Sequence, residues 1–154
     1  MKLLKIFIIN LFFIIGVTPS YSLTLQQGVS FFTQYQNYAN SYNASLLNMY
    51  SQDAKIIREV IKPSGAVVSV NIPTQRFFKE LKIGQKTARI KKYKNIDRNI
   101  SVKPLPNGIK ITAERQPARE NYWLKMYQIV QNTDSGLKIT EEMMQTKVQL
   151  FLKQ

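Results

Sequence analysis

Over residues 25–49 the apolar side chains return at steps of three and four: Leu25, Val29, Phe32, Tyr35, Ala39, Tyr42, Leu46 and Met49. This period predicts one long amphipathic helix, with Gln27, Ser30, Gln34, Asn37 and Ser41 on its outer face. A helix with a single apolar face has to bury that face against another element, and the following sequence offers strands. After a break predicted at Ser51-Gln52-Asp53, residues 56–61 and 66–72 are rich in Ile and Val and flank Lys62-Pro63-Ser64-Gly65, which is hairpin chemistry. Pro73 stops the second run. Thr74 is predicted to cap a second helix over about residues 75–92. Phe77, Leu81, Gly84 and Ala88 share one face of it, with Gly84 and Ala88 small enough for close approach to a sheet.

The remainder alternates. Residues 100–105 and 109–115 flank the turn Pro106-Asn107-Gly108, a strong hairpin signal. Residues 122–131 and 137–152 flank a polar turn at 132–136. Helices and antiparallel runs are segregated along the chain, which argues α+β. The expected architecture is a strongly curved antiparallel sheet wrapped around the long N-terminal helix and the second helix. It makes a cone with a cavity between sheet and helices.

Residues 1–22 read as a cleavable signal peptide. Lys2 and Lys5 precede a run, residues 6–17, that is apolar apart from Asn10 and Gly16. Pro19 and Ser20-Tyr21-Ser22 place the cut after Ser22. The run falls short of the roughly 20 residues that span a bilayer; an uncleaved anchor is the alternative. Residues 23–154 are one domain's length. The chain has no Cys and no His, which excludes disulfides, Ser-His-Asp and Cys-His catalysis, and zinc sites of thiolate or imidazole. No metal and no cofactor are expected. Export without disulfides points to a periplasmic or secreted protein.

The net charge is +13, from 22 basic and 9 acidic residues, and Lys2 and Lys5 contribute two of it. Such a field attracts anions. Between Arg76 and Lys103 there are ten basic and two acidic residues. Lys79, Lys82, Lys86 and Arg89 form a stripe on the second helix, and Lys92 continues it. A solvated helix face usually mixes signs, so this stripe is the candidate surface for an anionic partner: a lipid head group, a polyanion or an acidic protein. Charge that serves only solubility is the plain alternative. The stripe lacks the interleaved aromatics of a single-strand nucleic-acid binder.

Residues 42–54, Tyr-Asn-Ala-Ser-Leu-Leu-Asn-Met-Tyr-Ser-Gln-Asp-Ala, and 137–145, Leu-Lys-Ile-Thr-Glu-Glu-Met-Met-Gln, resemble the helix end and the final strand of the nuclear transport factor 2-like superfamily. That superfamily includes ketosteroid isomerases and polyketide cyclases. The resemblance implies the cone fold, a small apolar ligand and a homodimer formed through the open sheet. Its isomerase-type enzymes carry an acidic proton shuttle just after the first strand. Ile61-Lys62-Pro63-Ser64-Gly65 stands there and holds no carboxylate. The family's helical tyrosine donor corresponds to Tyr35, Tyr38 or Tyr42.

The candidate cavity residues are Tyr35, Tyr42, Asp53, Tyr122 and Tyr127. Glu141 and Glu142 alternate across a strand, so they cannot act as a close pair, and both are expected on a solvated or ion-paired surface. These readings favour an exported, non-catalytic binding domain with a basic face and a cavity. Two alternatives stand beside it. One is an isomerase- or cyclase-type enzyme with a carboxylate hidden in the cone. The other is a secretion-system assembly component that keeps its membrane anchor.

Overall fold

The computed structural model describes residues 23–153; the expected signal peptide and its cut after Ser22 lie outside the described residues. Helix α1 spans Leu25–Asn40. Thr24 starts it with a reciprocal cap. The Thr24 hydroxyl accepts from the Gln27 amide at 3.1 Å, and the Gln27 side chain accepts from the Thr24 amide at 2.8 Å, satisfying two donors that a helix start leaves free. The buried residues are Gly28, Phe31, Phe32 and Tyr35. Leu25 and Val29, expected inside, are 53% and 47% exposed. The inward face is rotated because Gly28 is the contact point with the sheet. A Cβ there would lie 2.6 Å from Val102 Cγ1.

The long helix expected over 25–49 is two segments. Ser41 caps α1, Tyr42 turns into the left-handed region at φ 58°, and Asn43 caps a 3-10 helix, Ala44–Met49. The apolar spacing persists across the break because the second segment returns Leu46 and Met49 to the same core.

Strand β1 spans Tyr50–Ile61 and runs through the break expected at 51–53. Its register against β6 (Gly136–Thr146) shifts between Tyr50 and Lys55, so a bulge absorbs the irregularity. The hairpin to β2, Val67–Ile72, turns at Gly65, where φ is 84°. Helix α2, Thr74–Lys91, has no side-chain cap; the Thr74 hydroxyl instead donates to the Ala54 carbonyl at 2.9 Å and ties the helix start to β1. Strands β3 (Ile96–Leu105), β4 (Gly108–Gln116), β5 (Leu124–Thr133) and β6 complete a meander. The chain then forms a 3-10 turn, Gln149–Lys153, in place of the strand expected to continue to 152.

The six strands form one curved sheet in the order β2-β1-β6-β5-β4-β3. All junctions are antiparallel except β1 with β6, which is parallel. Helix α1 packs over β3 and β4, and α2 packs over β1. The core between them holds Phe32, Tyr35, Tyr50, Ile56, Phe77, Ile109, Ile111 and Ile139. Among the described residues no helix is long and apolar enough to cross a membrane.

Candidate functional site

One row of the sheet's inner face reads, strand by strand, Ile72, Ile56, Glu142, Gln128, Ile111, Val102. Two polar residues stand in the middle of an aliphatic row. Glu142 is fully buried. Its carboxylate accepts from the Tyr50 hydroxyl at 2.5 Å, Arg58 Nη2 at 3.1 Å and Gln128 Nε2 at 3.1 Å. This corrects the surface position expected for Glu142. Its alternation with Glu141 is as expected, but the inward member belongs to a buried ion pair that offsets its desolvation. Arg58 lies in the next row, and its guanidinium is 5.4 Å from the centre of the Phe77 ring. Burial, and then the Glu142 charge, push the Tyr50 phenol well above its ordinary pKa. Tyr50 thus keeps its proton through the neutral range and donates a hydrogen bond to Glu142.

A second buried pair stands nearby. Arg115 Nε donates to Asp97 Oδ1 at 2.8 Å and Nη2 to Oδ2 at 3.4 Å, while Gln36 adds a bond of 3.1 Å to Oδ2. Arg115 Nη1 has only the Tyr35 hydroxyl at 3.4 Å and the Met144 sulfur at 3.7 Å. Burial raises the Tyr35 pKa, with Arg115 opposing.

Between the pairs lies a cavity of about 180 Å³, walled by Tyr35, Tyr42, Tyr50, Arg58, Arg115 and Glu142 and by the apolar Leu46, Phe77, Leu81 and Met144. A larger hollow of about 480 Å³ shares Arg58, Arg115 and Met144 with it and adds Tyr93, Tyr122, Leu124, Met126 and Phe151. Together they have the size and apolar lining of small-molecule sites. The Tyr42 hydroxyl is buried at this site and has no hydrogen-bond partner. The left-handed turn that carries it is held by Arg89 Nη2, which donates to the Tyr42 carbonyl at 2.9 Å. A hollow of about 610 Å³ between α1, the 3-10 helix and β6, lined by Gln26, Ser30, Gln34, Asn48 and Leu137 among others, contains no charged side chain and none of this network.

Of the sequence-based cavity residues, Tyr35 and Tyr42 line the inner cavity and Tyr122 the larger one. Asp53 does not reach either. It is exposed, it accepts from the Ser51 hydroxyl, and that bond lowers its pKa. Strand β1 continues through this position and turns Ala54 inward, so Asp53 points out. Tyr127 is also outside. It alternates with the buried Met126 and Gln128, donates to Glu141 at 2.5 Å on the opposite face of the sheet, and lies under the Lys110 ammonium.

Lys79, Lys82, Lys86, Arg89 and Lys92 are all exposed. None of them lies within ion-pair distance of a carboxylate among the described residues. Gly84, expected at a close approach, has open space where a Cβ would be. Arg58, Arg115, Asp97 and Tyr50 are site residues that the sequence reading does not single out. A signal for two of them is present in it: Ile56-Arg58-Val60 and Ile109-Ile111-Ala113-Arg115 each place an arginine in phase with buried aliphatics. No metal-holding cluster of acidic residues occurs among the described residues.

No protein-family model and no curated protein matches the chain by sequence. Solved structures match by shape. A nuclear transport factor 2-like protein of unknown function from Pseudomonas putida superposes with a TM-score of 0.58 at 4% identity, over 78% of this chain and 84% of that one. A candidate dehydratase of the same fold family from Streptomyces avermitilis gives 0.57 at 9% identity, over 80% and 96%. A candidate scytalone dehydratase from Novosphingobium aromaticivorans gives 0.54 at 10% identity, over 78% and 81%. At such identities the likeness is one of fold, and one fold carries many activities. A curved six-stranded sheet closed over two helices around an inner cavity, shared with these structures, is the nuclear transport factor 2-like fold, and this chain has it.

Proposed function

We propose that residues 23–154 form an exported, non-catalytic binding domain whose cone receives a small, largely apolar ligand by its hydrogen-bond-accepting end. The observation that carries this reading is a surplus of donors on the cavity wall; the unpartnered acceptor Gln128 Oε1 is not part of that wall. The Tyr42 hydroxyl has no partner, and Arg115 Nη1 has only long contacts. The two buried carboxylates are already occupied, Glu142 by three donors and Asp97 by Arg115 and Gln36. Buried donors without acceptors are costly. A ligand carbonyl or carboxylate placed between Tyr42 and Arg115 would satisfy them, while its apolar body lies against Leu124, Met126 and Met144.

A second reading rests on Glu142. It is a carboxylate hidden in the cone beside a tyrosine donor, as an isomerase- or cyclase-type enzyme requires. A general base must reach the proton it takes, and the three bonds on Glu142 hold it against the sheet, which favours binding over catalysis.

The test joins native mass spectrometry of the exported protein to thermal-shift titration with small apolar ketones and carboxylic acids. The expected outcome is a mature chain starting at Leu23, a retained or added small molecule, and affinity reduced about three- to tenfold in Tyr42→Phe, the worth of one net hydrogen bond. Unchanged affinity in both Tyr42→Phe and Arg115→Lys overturns the cavity assignment. Conversion of a ketone, lost in Glu142→Gln, replaces it with the second reading. A chain that retains residues 1–22 in the membrane favours the assembly-component alternative.

A further inference from the structure

Helix α2 buries Phe77 and turns Leu81, Gln85 and Ala88 toward the molecule. Directly opposite, at helical spacing, stand Ile83 and Ile90, which are 62% and 82% exposed. They are two turns apart, about 10 Å along the axis. Each is a neighbour of lysine at i±3 or i±4: Lys79 and Lys86 for Ile83, and Lys86 for Ile90. Lys82 and Arg89 form the next row. The acid of this helix, Glu80, also stands at i−3 from Ile83, but its charge is taken up by Arg76 at 2.7 Å. A hollow of about 410 Å³ opens beside the row, between α2 and the turn at Tyr42 and Ala44. Lys82, Lys86, Arg89 and Ile90 line it.

We infer that this face of α2 is a membrane-surface anchor that seats on an anionic lipid bilayer. Ile83 and Ile90 enter the head-group region, and Lys79, Lys82, Lys86 and Arg89 meet lipid phosphates. An apolar crest flanked by unpaired lysines on an interfacial helix is the pattern that anionic bilayers bind. The lysine stems lie along the apolar boundary while their ammonium groups stay in water. A phosphodiester track has no use for two isoleucines at the summit of the face. A protein partner is disfavoured by composition, since lysine is depleted at protein interfaces. The hollow, with three cations on apolar walls, has the chemistry of a phosphate head group with the start of its acyl chains. The anchor and the cone lie on opposite sides of α2 and meet at Arg89, which holds the Tyr42 turn.

The experiment is vesicle flotation of the residue 23–154 protein with phosphatidylcholine alone and with phosphatidylcholine plus phosphatidylglycerol. Binding is expected only to the anionic vesicles and to fall as salt shortens the screening length. Lys82→Glu with Lys86→Glu should weaken it by at least about fivefold per lysine. Lys62→Glu with Lys103→Glu, an equal charge change at exposed positions elsewhere, should weaken it far less. Ile83→Ser with Ile90→Ser leaves the charge untouched and should still reduce binding about tenfold. The chain has no Cys, so Ile83→Cys carries a single environment-sensitive fluorophore, whose emission should shift to the blue on anionic vesicles. Equal weakening by both charge pairs together with no effect of the isoleucine pair reduces the face to diffuse charge and overturns the proposal. So does binding to neutral vesicles at equal strength, or binding to RNA with none to vesicles. Circular dichroism of each variant confirms the fold, because all of the substituted side chains are at the surface.

Discussion

The Tyr50 hydroxyl donates to the Glu142 carboxylate across 2.5 Å at the centre of the cone, although the two residues stand 92 positions apart in the chain. Arg58 completes the arrangement, with 11% of its side chain exposed and none of that of Glu142. Breaking a buried pair from one side leaves a charge with no counterpart, which typically costs about 3–5 kcal/mol. Arg58→Met should therefore lower stability by about that amount in urea unfolding. The double substitution Arg58→Met with Glu142→Leu should restore most of it, since apolar replacement of both partners is often neutral. A double variant as unstable as the single one would show that Glu142 does not depend on Arg58.

Tyr42 and Tyr50 should respond in opposite ways to loss of a hydroxyl. Tyr50→Phe removes a hydrogen bond to a buried charge, worth about 1.5–3 kcal/mol. Tyr42→Phe removes a buried hydroxyl that has no partner, so the ligand-free protein should keep or raise its thermal midpoint. A clear drop in Tyr42→Phe would mean that the hydroxyl has a partner in solution.

Two glycines should part in the same manner. Gly84 lies inside α2, and a methyl group added there would meet nothing within 4 Å. Gly84→Ala should stabilise by up to about 1 kcal/mol through helix propensity. Gly28→Ala gains the same propensity but drives a methyl to 2.6 Å from Val102 and 3.1 Å from Ile109. It should destabilise, because overpacking typically costs about 1–3 kcal/mol. Thermal unfolding of the two variants reads the sign directly.

Stability should fall on the alkaline side. Burial raises Tyr50 well above the ordinary phenol, and burial with the Glu141 hydrogen bond pushes Tyr127 up to about 12. In the unfolded chain both lose their protons near pH 10. Above that pH the unfolded state ionises first, so its share grows. The Tyr127 contribution is complete below about pH 10 and is lost as the pH rises through about 12. Urea midpoints should decline over that window, less steeply in Tyr127→Phe. A flat profile across it would contradict the burial of these phenols.

Much of the architecture is legible in the sequence because hairpin chemistry is local. Pro63-Ser64-Gly65 and Asn107-Gly108 mark their turns, and alternation marks β4. The apolar period misplaces the inward face of α1 because it gives Gly28 no weight, when its missing side chain is what lets the helix touch Val102. The end of α1 is hidden because Leu46 and Met49 keep the spacing after the chain has changed helix type at Tyr42. The charged network is the hardest part to see. Alternation separates Glu141 from Glu142 but does not say which faces in; that is decided by Arg58, 84 positions away, and by Gln128 across the sheet. Asp53 and Tyr127 have the right chemistry for a cavity, and strand parity sends both outward.

The parallel junction of β1 with β6 also pairs strands far apart in the chain, the kind of contact that forms slowly. The β1–β2 hairpin and the β3–β6 meander each assemble from neighbours in the chain, but β1 keeps a bare edge until the final strand arrives. Closing so long a loop is entropically costly and slow. A chain stopped before Gly136 would present that Ile- and Val-rich edge to other chains, a template for aggregation. Late closure also has a use: a polypeptide whose first strand stays unpaired on one edge until β6 is made remains threadable for longer, which suits the proposed export.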